Sequence, residues 1–259
     1  MPSICKLPRE CGASEVAPLE APLFIADLHL SWRKIAVAKR FFNFLKNEAL
    51  NYKELFILGD LFEFWVGDDA GFIAFPVSRA LRKYAQSGHR VYLMPGNRDT
   101  LLGDDFARAS GATIIQSSIA VTFEDKRILL AHGDEWCTLD TDYQKFRELL
   151  RSEKFQKEAF SMNFLSRILW ALRARKESIR QKREKTLEEM DVVEASFREA
   201  AAKNNCRYII HGHTHRPATY EATDLMRIVL PDWREEGAPA PLWGYAEISP
   251  SSEPKLVLF

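Results

Sequence analysis

The feature that most constrains the fold is a repeated order in which a short apolar segment ends in a polar turn and a helical segment follows. Apolar runs suited to buried strands lie at 23–27, 54–60 and 89–97, and helical periodicity follows at 34–50, within 73–86 and at 99–110. Strands that alternate with helices favour a sheet whose strands are largely parallel. The first half of the chain is therefore predicted to form an α/β sheet.

The second half of the chain has a different pattern of predicted strands and helices. A hairpin is predicted around residues 124–126, where "EDK" separates two apolar runs, and further strands are predicted in 206–213, 218–230 and 242–259. Residues 140–203 carry only helical patterns, so we expect a helical cap insertion there, within one domain over 22–259. Residues 1–21 are predicted to be an extension that precedes this domain.

Composition excludes several classes of protein. Lys+Arg and Asp+Glu both number 36, so no global field attracts nucleic acid or an anionic membrane. Cys5, Cys11, Cys137 and Cys206 lack metal-site spacing and are predicted to be free thiols. The N-terminus has no apolar leader, and there is no run of about 20 apolar residues. We expect a cytoplasmic protein with peripheral membrane contact.

Polar residues with metal-binding side chains follow five of the predicted strands. Half of the 6 histidines fall within 211–215, in "HGHTH". Polar groups at the carboxyl ends of strands in an open α/β sheet converge on one site, and residues two apart on an extended chain point to the same side. The convergent side chains would be Asp27, His29, Asp60, Asn97, Arg98, His132, His213 and His215.

The donor set has the chemistry of a two-metal site. Oxygen and nitrogen donors without a required thiolate suit Mn, Fe or Zn ions and argue against a structural zinc site. All of these side chains except Arg98 can bind metal. Seven donors exceed what one catalytic ion with an open position needs, and they suit two ions about 3.5–4 Å apart. The sequence therefore predicts two divalent metal ions, with Mn²⁺ as the expected metal.

The same motifs carry a resemblance to a known group of enzymes. "DLH", "GD", "GNRD", "HGD" and "GHTH", in this order, resemble the five motifs of the calcineurin-like metallophosphoesterases. Longer stretches, such as "FILGDLFEFWVGDD" and "LAHGDEWCTLDTDYQKFR", are similar to one family within them, the UDP-2,3-diacylglucosamine hydrolases of lipid A synthesis. The resemblance implies an α/β sandwich of mixed β-sheets flanked by helices, with a helical cap insertion.

The resemblance also implies roles for individual residues. One metal would be held by Asp27, His29, Asp60 and His215, and the second by Asp60, Asn97, His132 and His213, with Asp60 as the bridge. Catalysis would depend on Asp60, Asn97, Arg98 and His132. Substrate contacts would fall on Asn97, Arg98, Asp140, Ser178, Lys182, Lys185 and His213. Lys182 departs from the family pattern, which has Asn at this position.

The activity that the resemblance implies is hydrolysis of a phosphoanhydride. A hydroxide bridging two metal ions would attack the α-phosphorus of UDP-2,3-diacylglucosamine, giving UMP and 2,3-diacylglucosamine 1-phosphate (lipid X), at the cytoplasmic face of the inner membrane. Other dimetal phosphodiesterases, a nuclease or a nucleotide-sugar pyrophosphatase are alternatives. A non-catalytic binding module on the same fold is an alternative from another class. Nucleic-acid binding has no motif to support it, and the oligomeric state stays open.

Two segments of the predicted cap allow several interpretations. Residues 160–176 carry an apolar stripe that would be a core-facing helix side, a wall for acyl chains or an interfacial helix, with Leu169 as one of its members. Residues 173–185 hold seven basic and two acidic residues. That segment would be a solvated helix face, a phosphate-binding surface or a contact for anionic headgroups.

Three further positions have simpler interpretations. His211 is expected to pack or to form hydrogen bonds beside the metal site rather than to bind metal. Asp134 would orient a loop, and Asp68 and Asp69 would be turn residues.

Overall fold

Two β-sheets pack face to face in the computed structural model, which describes residues 16, 18–69, 71–182, 185–186 and 188–259, without the side chains of 71–73, 179, 181 and 182. Within these residues the first sheet has six strands and the second has five. Both sheets mix parallel and antiparallel pairs, which confirms the predicted mixed sandwich.

The first sheet has a parallel centre. Its strands, in spatial order, are β11 Lys255–Leu258, β10 Gly244–Glu247, β1 Pro22–Ile25, β2 Glu54–Leu58, β3 Arg90–Met94 and β4 Thr113–Ile114. Strands β1 to β4 run parallel to one another, β10 pairs antiparallel with β1, and β11 pairs antiparallel with β10. The sequence analysis missed β4, whose two residues are too short for any periodicity.

The second sheet also has parallel strands at its centre. Strands β6, β7 and β9 are parallel, while β5 and β8 are antiparallel edge strands. Their bounds are β5 Ile119–Phe123, β6 Lys126–Ala131, β7 Tyr208–His211, β8 Ala218–Glu221 and β9 Met226–Val229. The hairpin of β5 and β6 turns at the predicted "EDK" segment.

Alternating side chains divide the core between the two sides of each sheet. Phe24 and Phe56 point between the sheets and pack with Ile210 of the second sheet. Their neighbours Leu23 and Leu55 point outward, against the helices of the first sheet. Because both faces of the central strands are covered, these strands are continuous apolar runs rather than alternating ones.

Helices cover the outer faces of both sheets. Helices α1 Ile35–Lys46, α2 Gly71–Gln86 and α3 Asp104–Ser110 cover the first sheet, and α7 Glu194–Lys203 covers the second through Phe197 and Ala201. Helix α1 ends before the predicted residue 50 because a separate 3-10 turn follows at Glu48–Asn51. Helix α3 begins five residues later than predicted, at the point where Asp68 accepts hydrogen bonds from Gly103 N and Phe106 N.

Three helices between α3 and α7 form the remaining helical layer: α4 Thr141–Arg151, α5 Glu153–Ser161 and α6 Phe164–Lys182. Side-chain caps start the first two of them: Asp140 accepts a hydrogen bond from Tyr143 N at 3.0 Å in α4, and Ser152 accepts one from Phe155 N at 3.2 Å in α5. Leu150, Phe155 and Ala159 join the core outside the first sheet. This part of the chain is helical, as the sequence predicts.

Candidate metal centre

The predicted metal-binding residues follow the carboxyl ends of parallel strands in both sheets. Asp27 and His29 follow β1, Asp60 follows β2, and Asn97 follows β3. In the second sheet, His132 follows β6 and the "GHTH" segment follows β7. Because the parallel strands of both sheets end on the same side of the sandwich, their loops meet there.

A left-handed backbone conformation is shared by most of these residues. Their φ angles are 56° at Asp27, 49° at His29, 52° at Asp60, 68° at His213 and 56° at His215. This region is uncommon for side chains other than glycine, although Asp and His enter it more readily than most. Backbone hydrogen bonds hold the loops, with Asp27 N donating to Gly59 O and His29 N to Asp60 O. Tight turns of this kind aim successive side chains into one small volume.

One group of donors consists of Asp27, His29 and His215. His215 Nε2 lies 3.3 Å from Asp27 Oδ1 and 3.2 Å from His29 Nε2. The other oxygen of Asp27 accepts a hydrogen bond from His213 N at 2.8 Å, which ties the loop after β1 to the loop after β7. The three ligand atoms lie within 4.8 Å of one another, close enough to share one ion.

A second group of donors surrounds Asn97. Its Oδ1 lies 3.1 Å from His132 Nε2 and 3.1 Å from His213 Nδ1. Asp60 stands between the two groups, because Oδ1 lies 3.8 Å from His132 Nε2 and Oδ2 lies 3.8 Å from His29 Nδ1. This is the position that the resemblance implies for a bridging carboxylate.

The donor set fits divalent metal ions. Among the described residues, Asp27 Oδ1 and His29 Nδ1 are buried and have no hydrogen-bond partner. Buried polar atoms are rarely left without a partner in proteins, so these atoms point to ligands that the polypeptide does not supply. Asp27, Asp60 and His132 also come within 4.8 Å of one another, so Asp27 reaches the second group as well.

Burial and neighbouring charges shift the pKa values of the donors in different directions. Burial, assisted by Arg98, holds the pKa of His29 well below its usual value and keeps the ring neutral. Burial acts in the same direction on His132, but the carboxylates of Asp60 and Asp27 outweigh it and raise the pKa of His132 to about 9. Burial thus dominates at His29, whereas the nearby carboxylates dominate at His132.

Glycines permit the close approach of the loops. A Cβ at Gly59, which has φ of 95°, would overlap the His132 ring, and a Cβ at Gly96 would overlap the Asp60 carboxylate. His132 Nδ1 also donates to Leu58 O at 2.9 Å, which leaves Nε2 to face the second group of donors. The glycines of "GD" and "GN" therefore have a packing role beside the donors.

His211 lies next to the donor groups and is occupied on both sides of its ring. Its Nδ1 donates to Gly212 O at 2.9 Å, and its Nε2 accepts from Arg227 at 3.1 Å. Burial and the Arg227 charge lower the pKa of His211 to about 3, so the ring is neutral. The ring faces protein partners, as the sequence analysis expects of a supporting residue.

Arg98 connects the donors to the cap. Its main-chain N donates to Asp60 Oδ1 at 2.9 Å, and its Nε lies 3.2 Å from Asp60 Oδ2. Its Nη1 pairs with Glu63 Oε1 at 2.9 Å, and Arg175 from α6 pairs with the same oxygen. Glu63 therefore holds two guanidinium groups beside the donors. The sequence analysis gave no individual role to Glu63 or Arg175, because their pairing joins segments that are distant in the chain.

A cavity of about 400 Å³ opens beside the donors and extends under the cap helices. Its polar end includes Asn97, Arg98, Arg175 and Ser178. Its apolar wall comes from the loops after β2 and β3 and from helices α4, α5 and α6, and includes Trp65, Val66, Leu101, Phe146, Leu150, Phe155, Ala159, Trp170, Ala171 and Ala174. The same cavity therefore presents charged and polar groups beside a mainly apolar wall.

The remaining predicted substrate contacts have different positions. Lys185 donates to both carboxylate oxygens of Asp140, at 2.6 and 2.7 Å, and neither residue is among those that line the cavity. Lys182 ends α6, and its side chain lies outside the described part of the structure. Of the predicted contacts, Asn97, Arg98 and Ser178 border the cavity, while Asp140 and Lys185 form an ion pair with each other.

The supporting aspartates have more contacts than the sequence indicates. Asp134 is fully buried and accepts from Tyr143 Oη at 3.0 Å and Arg147 Nε at 2.8 Å, so it fixes α4 to the loop after His132. Asp68 and Asp69 do lie in a turn, but Asp68 also caps α3, and Asp69 pairs with Arg167 of α6.

The apolar residues of α6 divide between two faces. Trp170 lines the cavity, whereas Leu165, Leu169 and Leu172 are 71%, 55% and 49% exposed. The core-facing interpretation of the stripe is therefore wrong for these leucines, and Leu169 does not line the cavity. No helix in the described ranges is both long enough and apolar enough to cross a bilayer.

Comparison with known proteins gives consistent matches. Residues 22–217 match the family described as calcineurin-like phosphoesterase. A relative from Chromohalobacter salexigens, named UDP-2,3-diacylglucosamine hydrolase, is 38% identical over 82% of this chain and 88% of its own. Relatives of the same name are 39% identical in Marinobacter nauticus (82% of this chain, 89% of that protein) and 40% identical in Hahella chejuensis (83% and 90%).

Proposed function

Since the chain belongs to the calcineurin-like phosphoesterase family, and within it to the UDP-2,3-diacylglucosamine hydrolases, we propose that it hydrolyses the pyrophosphate bond of UDP-2,3-diacylglucosamine. Attack at the α-phosphorus gives UMP and 2,3-diacylglucosamine 1-phosphate. One observation carries this proposal: the donor Asn97 and its neighbour Arg98, which pairs with Asp60, also line a cavity whose wall is mainly apolar. A substrate with a diphosphate beside acyl chains matches that compartment.

The donors have complementary tasks in this reaction. Two divalent ions, when bound, would acidify water and offset charge on the phosphoryl oxygens, and the mixed nitrogen and oxygen donors suit Mn²⁺, the metal we propose, as well as Fe²⁺ or Zn²⁺. Asp60 faces both donor groups and fixes their separation. Arg98, held by Asp60 and Glu63, presents a guanidinium that can bind the phosphoryl oxygens in a bidentate manner. The leaving group is itself a phosphate, so no strong general acid is needed.

The apolar interior gives the proposed enzyme its selectivity for acylated substrates. Phe146, Leu150, Phe155 and Trp170 supply large apolar surfaces along the cavity. Each methylene that enters such a cavity contributes about 0.8 kcal/mol, and this binding energy can hold the diphosphate in position for attack. A small phosphodiester would lack that contribution.

The outer face of α6 supports peripheral association with a membrane. Leu165, Leu169 and Leu172 recur at helical spacing and are exposed, and Arg173 and Lys176 lie exposed beside them. Leucines facing outward next to basic residues are typical of a helix that lies in the headgroup region of an anionic membrane. We infer that this face contacts the cytoplasmic surface of the inner membrane, from which the lipid-linked substrate enters the cavity.

Isotope labelling tests both the reaction and its regiochemistry. Purified protein with Mn²⁺ is incubated with UDP-2,3-diacylglucosamine in H₂¹⁸O, and the products are separated and weighed by mass spectrometry. We expect one ¹⁸O atom in UMP and none in the acylated sugar phosphate. Label in the sugar phosphate would place attack at the β-phosphorus. Failure to hydrolyse this substrate, with small phosphodiesters still cleaved, would replace the proposal with a generic phosphodiesterase.

A further inference from the structure

Strand β9 is another parallel strand that ends at the same side of the sandwich as the metal donors. Strand β9 pairs in parallel with β7, with His211 opposite Val229, so the loop after β9 begins where the "GHTH" segment begins. Leu230 N donates to His211 O at 2.7 Å and extends this pairing. The five strand ends that the sequence reveals therefore have a neighbour, which carries the segment "PDWR" at 231–234.

The carboxylate of Asp232 faces one of the metal donors. Its Oδ2 lies 3.6 Å from His215 Nδ1, slightly beyond hydrogen-bond distance. The other ring nitrogen of His215 is the one that lies near Asp27 and His29. The imidazole therefore stands between the donor cluster on its Nε2 side and Asp232 on its Nδ1 side.

Asp232 is itself held in place from several directions. Arg234 Nε donates to both of its oxygens at 3.0 Å, and Arg234 Nη2 lies 3.0 Å from Oδ1. Arg40 of α1 donates to the carbonyl of Arg234. Trp233, buried in the core, donates its main-chain N–H to Asp27 O at 3.0 Å. The loop is thus fixed both to a helix and to the residue that opens the donor set.

We propose that Asp232 is a positioning residue for His215. With metal bound, its carboxylate accepts a hydrogen bond from Nδ1–H, which fixes the tautomer and the ring orientation and leaves the Nε2 lone pair for the metal ion. Carboxylates behind metal-binding histidines act in this way, and their loss typically weakens metal affinity 10–100-fold. The inference rests on the dimetal part of the proposed function and is independent of the lipid substrate.

Three variants separate this role from a merely structural one. Asp232→Ala removes the acceptor, whereas Asp232→Asn keeps an oxygen acceptor but loses the charge. Asp224→Ala is the matched control, because Asp224 precedes β9, is exposed, and also pairs with an arginine, Arg198. Thermal unfolding without metal is measured for every variant.

Mn²⁺ binding is then titrated by the electron paramagnetic resonance signal of the free ion, with total metal determined by mass spectrometry. We expect two ions in the wild type, a roughly 10–100-fold weaker affinity for one of them in Asp232→Ala, an intermediate loss in Asp232→Asn, and no change in Asp224→Ala. In the Zn²⁺-loaded protein the ring is the Nδ1–H tautomer in both cases, and NMR should show that the Nδ1 proton of His215 exchanges more slowly with water in the wild type than in Asp232→Ala.

Two results would overturn the inference. In the first, Asp232→Ala binds both ions with wild-type affinity. In the second, both ions weaken equally and in proportion to a lower unfolding temperature, which would make Asp232 only a partner for Arg234. A wild type that binds fewer than two ions would instead refute the dimetal proposal, and this inference with it.

Discussion

Replacing Ala171 with tryptophan should block the cavity without touching the metal donors. Ala171 lines the cavity on the inner face of α6, between Trp170 and the outward-facing Leu172. An indole at this position would extend into the space that the acyl chains are proposed to fill. Because the cavity is open there, the larger side chain need not displace the surrounding core.

The size of the effect follows from the methylenes that the indole excludes. If it excludes only three, at about 0.8 kcal/mol each, the acylated substrate loses about 2.4 kcal/mol of binding energy, which corresponds to a roughly sixty-fold lower kcat/KM. Hydrolysis of a small chromogenic phosphodiester should change little, because that substrate needs only the metal donors and Arg98.

The matched control is Leu169→Trp. Residues two positions apart on a helix are rotated by roughly 200° about its axis. The Leu169→Trp variant therefore places the same indole on the opposite face, where Leu169 is exposed. Both variants are assayed on both substrates in the same detergent, and their unfolding temperatures are compared. A loss of kcat/KM in Ala171→Trp that is equal for the two substrates, or an equal loss in Leu169→Trp, would refute the proposed acyl cavity.

Other predictions concern the metals and the core. Asp60→Asn should lower turnover by several orders of magnitude with an unchanged circular dichroism spectrum, and near-normal turnover with both metals bound would contradict a bridging role. A chelator should abolish activity, and Mn²⁺ should restore it best; full activity after verified metal removal would exclude the two-metal mechanism. Glu54 is fully buried, accepts from Glu20 N and Ala21 N at 3.1 and 3.0 Å, and pairs with Arg90. Glu54→Ala should therefore lower the free energy of unfolding by about 2 kcal/mol in urea titrations, because two main-chain N–H groups lose a charged acceptor, and an unchanged stability would contradict this reasoning.

The order of strands, helices and polar turns could be predicted because each is a local property. A buried strand needs only a short apolar run, and the donors stand directly after such runs, as Asp60 does after β2 and His132 does after β6. The convergence of these loops then follows from the parallel arrangement. The same reasoning would have pointed to Asp232, had the end of the strand at 226–229 been treated like the others.

Long-range choices could not be predicted in the same way. The alternation of strands does not say that the chain divides them between two sheets, or that β10 and β11 return to the first sheet beside β1. The stripe on α6 has apolar residues on both faces, so its pattern could not decide that Trp170 faces the cavity while Leu169 faces outward. Glu63 matters only through its ion pairs with Arg98 and Arg175, and both of these arginines are distant from it in sequence.

The left-handed conformation of five metal-binding residues limits which side chains could ever replace them. Valine, isoleucine and threonine are nearly excluded at positions such as His29 and His213, because a branched Cβ collides with the backbone there. Glycine would fit the backbone with less strain, so exchanging a ligand for glycine removes a backbone cost of the order of 1 kcal/mol while also removing the ligand. Asp and His at all five positions therefore hold the backbone in a conformation that glycine would adopt more easily, so the donor cluster lowers the stability of the loops that carry it.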